Sequence, residues 1–401
     1  MRIIFIGSTV DRETLNVLPD ASVAGNKMQL GFIKGFIQND VETIGVSVEP
    51  FAMWKFNKKP LFVKAKQLLD EQVKIHTVSY INIPFIKQIS IYFSLKKQIK
   101  KEGVNKDTFL VVYNTMSIFA LPVLNIAKKL GCKCVAVIAD LPIKYKKNFL
   151  RRIEDKKQIE YIERFDGIIP LTEHIARDFA PDLPYRVVEA GCNVSDYIPE
   201  AEERRADNIK HIVFSGTLNQ LSGISLIIEA MKYVEDNIVL DIYGKGIQEE
   251  YIIQKGNNNR NIIYHGAVAN SEMIKIQSKA DLLVCPRYPD DFTTKYTFPS
   301  KILEYICSGI PVLSNKLKGI PEEYEEYITL SSTDDPLAWA NLIEEILIKN
   351  SKKYREKAIV AKKICLEKKS WREQTKKALE LFNEIGEKND SKERKRNKKI
   401  N

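Results

Sequence analysis

Long apolar runs are the first thing missing from this chain of 401 residues. The most apolar stretch, Phe109 to Ala127, is interrupted by Asn114, Ser117 and Pro122, so it reads as a strand followed by a helix and not as a bilayer span. The opening MRIIFIGSTVDRE lacks a secretory pattern, because its apolar run is too short and its first acidic residue comes too early; a strand over Ile3 to Ile6 accounts for it. Histidine is scarce as well. His76, His174, His211 and His265 stand isolated, none joins a serine or cysteine in a triad, and each reads as a packed residue. The six cysteines are scattered through apolar patterns. Cys132 and Cys134 alternate on one strand, but no second pair and no nearby histidine completes a zinc set, so reduced thiols, a cytoplasmic location and no bound metal are expected.

Arginine is missing from residues 51–150, which hold 18 lysines against 5 acidic residues, a larger surplus than the net +10 of the whole chain. Within that window FAMWKFNKKPLFVKAK interleaves Trp54, Phe56 and Phe62 with five lysines, and INIPFIKQISIYFSLKKQIKK does the same with Phe85, Tyr92 and Phe93. Such segments suit an anionic membrane surface, where each lysine near the headgroups adds roughly 1 kcal/mol. They equally suit amphipathic core helices with a solvated lysine face, and both readings stay open. Lysine patches without arginine and without a nucleic-acid module give no reason to expect nucleic acid as a partner.

What is present is ordinary for a folded protein: 44% hydrophobic and 28% charged residues. The length exceeds what one core organises and calls for two domains. Short β-rich runs alternate with amphipathic segments, the pattern of parallel βαβ units and hence of an α/β fold. Strands are expected near Arg2–Gly7, Thr43–Val48, Thr77–Ile83, Phe109–Tyr113, Lys133–Ala139, Gly167–Leu171 and Tyr185–Glu189. The reading places a first Rossmann-like domain at 1–196, a polar linker at 197–210, and a second such domain at 211–366. A helix at 367–386 could return to the first domain, and a basic tail at 387–401 is expected to be disordered.

Ligands of doubly wound sheets bind outside the carboxyl ends of the strands. In the second domain those ends lead into SGTLNQLSG, YGKG, YHGAV and RYPDDFTTKYTFPSK. In the last of these, Pro299 falls in a first helical turn where its missing N–H costs nothing, and the amides around Ser300 and Lys301 make a positive helix start that suits a phosphate. Ser300, Lys301, Glu304 and Ser308 share one polar side, with Leu303, Ile306 and Ile310 on an apolar one. A carboxylate such as Glu304, one turn into a phosphate-binding helix, can accept hydrogen bonds from a ribose diol.

The block YTFPSKILEYICSGIPVLS resembles the signature helix of retaining GT-B glycosyltransferases, specifically glycosyltransferase family 4 (group 1), and FSGTLNQLSGISLIIEAM, IYGKG, YHGAV and ADLLVCP follow the family's order. The resemblance implies two doubly wound domains facing a cleft, transfer of a sugar with retention from a UDP- or GDP-linked donor, and a saccharide or lipid-linked acceptor. Bacterial capsule, exopolysaccharide or O-antigen synthesis would be its setting, and the lysine-rich first domain makes a lipid-linked acceptor, with peripheral placement on the inner membrane face, the preferred case where the membrane reading of its lysines holds. The nucleotide sugar is a substrate, so no cofactor is expected.

The resemblance also implies roles. Glu304 would hold the donor ribose, and Gly216, Thr217, Gly244, Lys245, Pro299, Ser300 and Lys301 would line the nucleotide and its diphosphate. The backbone at Ala267 and Val268 would meet the base. Tyr296 stands where many members carry a glutamate that contacts the transferred sugar. Thr217 and Ser222 stand where many members carry an arginine and a lysine, leaving Lys301, Lys245 or Lys295 to neutralise the diphosphate. In the first domain, Gly25, Asn26 and Lys27 match a loop that approaches the donor phosphate. Asp140 matches a strand-end residue near the reacting sugar, and a turn aspartate ahead of Pro142 is its plain alternative. A nucleotide-sugar epimerase and a non-catalytic GT-B partner subunit are the rival readings.

Overall fold

The computed structural model describes the chain except residue 19 and residues 55–59, 143–148, 198–207, 290–291 and 398–401. Phe56 with its neighbouring lysines, most of the expected linker and the end of the basic tail therefore lie outside the described residues. The chain divides into two compact units, one of Met1–Gly191 with Trp371–Asn401 and one of Cys192–Ser370. Four helices matter below: α1 (Val23–Gln38), α2 (Ile86–Lys101), α3 (Ser300–Ser308) and α4 (Trp371–Asn397). Among the described residues no helix is long and apolar enough to cross a membrane.

The first unit is built on seven strands, β1 (Arg2–Gly7), β2 (Glu42–Ser47), β3 (Gln67–Asp70), β4 (Val73–Thr77), β5 (Thr108–Tyr113), β6 (Lys133–Ile138) and β7 (Gly167–Pro170). Their order is β3-β4-β2-β1-β5-β6-β7, parallel throughout except β3 against β4. Ile3, Ile4, Phe5 and Ile6 are all buried, so β1 is an unbroken apolar run, as a strand covered on both faces must be.

Two expected strands shift. The one placed at Thr77–Ile83 is β4, whose Lys74 and His76 dilute the apolar pattern, while Tyr80–Ile81 pairs with Phe62–Val63 in a separate antiparallel ribbon. Tyr185–Glu189 makes only one isolated bridge to Ile168, because its ladder stays partial: Arg186 N sits 3.4 Å from Ile168 O.

Helix α4 packs on α1 through a trough of missing side chains. A Cβ at Gly31 would overlap the Trp371 ring, and one at Gly35 would overlap the Trp371 carbonyl oxygen. The Phe32 and Trp371 rings lie 5.2 Å apart, and Phe109 stacks on Phe382 at 4.7 Å. Each such buried aromatic contributes roughly 1.5–3 kcal/mol, which ties the end of the chain to its beginning. The helix continues through Glu387–Asn397, a stretch whose composition suggests no fixed structure.

The second unit has β8 (Lys210–Ser215), β9 (Ile238–Tyr243), β10 (Ile262–Gly266), β11 (Leu282–Cys285), β12 (Val312–Asn315) and β13 (Thr329–Ser331), all parallel, in the order β10-β9-β8-β11-β12-β13. One face buries Ile212, Phe214, Leu240, Ile242 and Val284 together with Trp339. The strand order reverses between β8 and β11, so the loops leaving their carboxyl ends part there, where sheets of this kind hold ligands.

Candidate active site

Backbone contact between loops defines the carboxyl edge of the second sheet. Gly216 N donates to Tyr243 O, Gly244 N to Gly266 O and Leu218 N to Lys245 O, stitching the loops after β8, β9 and β10 together at 2.8–3.0 Å. Glycine is required at three of these points. A Cβ at Gly244, whose φ is 141°, would overlap the carbonyl oxygen of Gly216; one at Gly246 would overlap that of Leu218; and one at Gly223, φ 72°, would overlap that of Pro286. The last contact joins the loop after β8 to the loop after β11, across the point where the strand order reverses. Thr217, Lys245 and Ala267 are exposed on this edge and Val268 is half-buried.

Helix α3 starts beside it. Pro299 is its cap residue and Ser300 its first helical one, a shift of one position from the sequence reading; Ile302 N is closed by Pro299 O at 2.9 Å. The amides of Ser300 and Lys301 fall in the first turn, where the helix supplies no acceptor. Ile302, Leu303, Ile306 and Cys307 are buried. Tyr305 anchors the helix to the strand: its hydroxyl lies 3.2 Å from Ser215 N and 3.0 Å from Ser215 Oγ, and Gln277 Nε2 donates to the same Oγ. Burial pushes the Tyr305 hydroxyl up, so it serves as a neutral hydrogen-bonding group. Ser308, expected on the polar side, is buried and donates to Tyr305 O.

Lys301 Nζ bonds Glu304 Oε2 at 2.9 Å, with only 15% of the Glu304 side chain exposed, so this carboxylate does not face bulk water. Buried Tyr197 is its neighbour: burial first, then the Glu304 charge, raises the Tyr197 hydroxyl well above its ordinary value. A second cation stands close by. Burial raises the Cys285 thiol at the end of β11, and Arg287 and Lys301 both pull it back, so both cations lie within electrostatic reach of this strand end. Asn315 sets the Arg287 loop, its Nδ2 donating to Pro286 O and Arg287 O while its Oδ1 accepts from the Trp339 indole. Tyr296 is buried edge-on against Phe292 at 5.0 Å, and Lys295 lies over its ring.

Side-chain amides hold the corresponding edge of the first unit. Both amide atoms of buried Asn26 bond the Val10 backbone, at 2.8 and 2.9 Å. Gln29 Oε1 accepts from Ser8 N and Thr9 Oγ1, and a Cβ at Gly7 would overlap that oxygen. Ser22 caps α1 by accepting from Gly25 N, and Lys27 is half-buried on the next turn. Asn114, with a left-handed φ of 58°, accepts from Ala139 N and Asp140 N. Asp140 keeps an exposed side, yet desolvation of its carboxyl by the protein around it raises it above the ordinary range, and a hydrogen bond from Asn114 pulls it back.

Sequence reasoning thus missed Arg287, Tyr305, Tyr197, Asn315 and Asn114. Only Arg287 had a signal, a cation directly after a strand. The histidines are less isolated than expected. His211 Nδ1 and His265 Nε2 each lie 2.6 Å from Asp241, which their hydrogen bonds hold below the ordinary carboxylate range against the opposing effect of its burial. His76 pairs with Glu102. Among the described residues no group of three or more His, Cys, Asp or Glu is placed to hold a metal ion.

Among curated proteins the chain finds no sequence match. Solved structures do resemble it. A sucrose-phosphate synthase from Thermosynechococcus elongatus aligns over 96% of this chain and 99% of its own, with TM-score 0.70 and 15% identity. The HepE protein of Anabaena, in complex with UDP, covers 96% and 100% with TM-score 0.65 and 13% identity. A TarM variant of S. aureus, in complex with Fondaparinux, alpha-GlcNAc-glycerol and UDP, covers 96% and 100% with TM-score 0.63 and 13% identity. At these identities the likeness shows the fold: GT-B, with two Rossmann-like domains. Residues 199–363, the span that holds α3 and the glycine-stitched loops, match the family Glycosyl transferases group 1, and over that span the chain is a glycosyltransferase.

Proposed function

We propose that the chain moves a hexose from a nucleoside-diphosphate sugar, UDP-linked by preference over GDP-linked, to a saccharide or lipid-linked saccharide, with retention at the anomeric carbon. The observation that carries this reading is the opening of α3 at the strand-order reversal, where first-turn amides, Lys301 and the half-sheltered Glu304 gather beside Arg287. Two of the similar structures were solved with UDP, which favours uridine as the base.

In this reading the amides of Ser300 and Lys301, the Lys301 ammonium and Arg287 take up the charge that builds on the departing diphosphate. Glu304 accepts hydrogen bonds from the ribose diol, releasing Lys301 toward phosphate. Ala267 and Val268 meet the base through their backbone, and Tyr296 borders the sugar. The leaving group departs on the face that the acceptor enters, with Asp140 orienting the sugar or the acceptor hydroxyl, Gly25 and Lys27 serving the phosphate, and Asn26 acting through the loop that it ties to Val10. Protein cations meet the diphosphate charge, so neither metal nor cofactor takes part. The setting is assembly of a bacterial surface polysaccharide in the cytoplasm.

Calorimetry with UDP and GDP, followed by release of nucleoside diphosphate from a donor panel in the presence of EDTA, tests the proposal. UDP should bind, and Glu304→Gln should weaken it by about 1.5–3 kcal/mol, the worth of hydrogen bonds to a charged acceptor. Binding of neither nucleotide, with no donor turned over, would end it.

A further inference from the structure

Helix α2 carries two apolar stripes on opposite sides, and the core uses only one. Ile91, Leu95 and Ile99 repeat every four residues and are fully buried. Ile86, Ile89 and Phe93 repeat at three and four residues on the far side and are 44%, 59% and 64% exposed. Phe85, just before the helix, has a left-handed φ of 64°, unfavourable for an aromatic residue, and is 76% exposed. Solvent-facing residues of an ordinary surface helix are polar; here they are apolar in the first half and basic in the second, where Lys97, Lys100 and Lys101 are exposed. Residues 85–101 contain five lysines and no acidic residue.

The patch extends beyond the helix. Ser90 Oγ, next to the outer stripe, accepts from Ile81 N, and Ile81 pairs with Phe62 in the two-stranded ribbon. Phe62 and Ile81 face outward while Val63 and Tyr80 are buried. Asn82 ties Leu61 and Trp54 to the same ribbon through backbone hydrogen bonds, and both side chains are about half exposed.

We infer that this face of the first unit, the outer stripe of α2 with the Phe62–Ile81 ribbon and the Lys97–Lys101 end, docks on an anionic lipid bilayer. Isoleucine, phenylalanine and tryptophan enter the acyl boundary while the lysines rest among headgroups. A second copy of the chain is the weaker occupant, because residues 85–101 carry no acidic group, so two-fold pairing of α2 with itself offers its lysines no counter-charge on that helix. The inference does not depend on the transfer reaction, and nucleotide calorimetry in the absence of lipid separates the two.

The full chain contains three tryptophans. Trp339 and Trp371 are buried and Trp54 is 49% exposed, so a fluorescence change on adding vesicles reports on the proposed face. Phosphatidylcholine vesicles containing phosphatidylglycerol should shift that emission to the blue and carry the protein down on sedimentation, whereas pure phosphatidylcholine should bind it weakly. Replacing the outer stripe, Ile86→Ser with Ile89→Ser and Phe93→Ser, should lower vesicle partition on the order of tenfold or more. The circular dichroism of this variant should match the wild type, since none of the three side chains packs in the core. Lys97→Gln with Lys100→Gln and Lys101→Gln should abolish the preference for phosphatidylglycerol. Absence of wild-type binding, or equal binding by the serine variant, would overturn the inference. So would self-association that the serine variant loses while vesicles bind neither protein.

Discussion

The two units solve one problem with different chemistry. At the carboxyl edge of the second sheet, loops are held by backbone touching backbone, which glycine permits at 223, 244 and 246. At the same edge of the first sheet, loops are held by side-chain amides: Asn26 on Val10, Gln29 on Ser8 and Thr9, Asn114 on Ala139 and Asp140. Backbone contact brings N–H groups and helix ends close together, which suits a ligand rich in phosphate. Amide tethers fix a loop from beneath and leave its outer surface to vary, which suits the less uniform task of meeting an acceptor.

The sharpest break in that comparison is Gly244→Ala. The added carbon meets the Gly216 carbonyl oxygen and φ stays at 141°, so the variant should lose about 3 kcal/mol or more of stability, with UDP binding lost as well. Gly266→Ala is the control, since nothing lies within 4 Å of the new carbon; it should cost only the left-handed backbone penalty, about 1–2 kcal/mol. Denaturant titration of both proteins measures the gap. Equal losses would mean that the loops are not held by close approach.

Next in size is the amide side. Asn26→Ala leaves the buried Val10 N–H and carbonyl without partners and should cost about 2–3 kcal/mol. In the transfer reading it should also weaken donor turnover more than UDP affinity, because the tether lies in the first unit. Asn26→Asp restores the acceptor but not the donor and should recover part of the stability. A variant as stable as the wild type would show that Val10 is held by other contacts.

This contrast also explains what was legible in the sequence. The alternation of apolar runs with amphipathic segments announces two parallel sheets. The blocks SGTLNQLSG, YGKG and FPSKILEY show where the second unit's loops and helix start lie, because a glycine or a proline speaks for its own backbone. The amides of Asn26 and Asn114 do not, since an asparagine in a turn looks the same whether it bonds itself or a strand end far along the chain. Tyr305 was hidden for a similar reason: helical spacing puts it on a packed face, and only the meeting with Ser215 makes its hydroxyl an anchor. The strand β4 was masked by Lys74 and His76, which lie on the less buried side of a strand one in from the sheet's edge and interrupt its apolar run.

A smaller effect belongs to Arg287. If it shares the diphosphate with Lys301, Arg287→Gln should weaken UDP about tenfold, near 1.4 kcal/mol, while uridine binds unchanged. Equal weakening of both ligands would make Arg287 a support for its loop and not a phosphate contact. The double variant with Lys301→Gln then tells whether the two cations act on one ligand group, since partners on a shared group lose less together than the sum of their separate losses.

The least effect, and the one that bears most on the first unit, comes from Asp140. Desolvation raises its carboxyl, so the folded protein holds that proton more tightly than the unfolded chain does. Stability from this residue is therefore complete below the ordinary carboxylate range and falls as pH rises through the raised value. Asp140→Asn removes the fall and keeps an oxygen for the Asn114 amide, so its melting temperature should match the wild type at low pH and exceed it slightly at neutral pH. A turn residue would show that gain and no other change. A residue that serves the reacting sugar would show the gain together with a loss of turnover, because a group kept charged against its surroundings at some cost to the fold is retained for what the charge does.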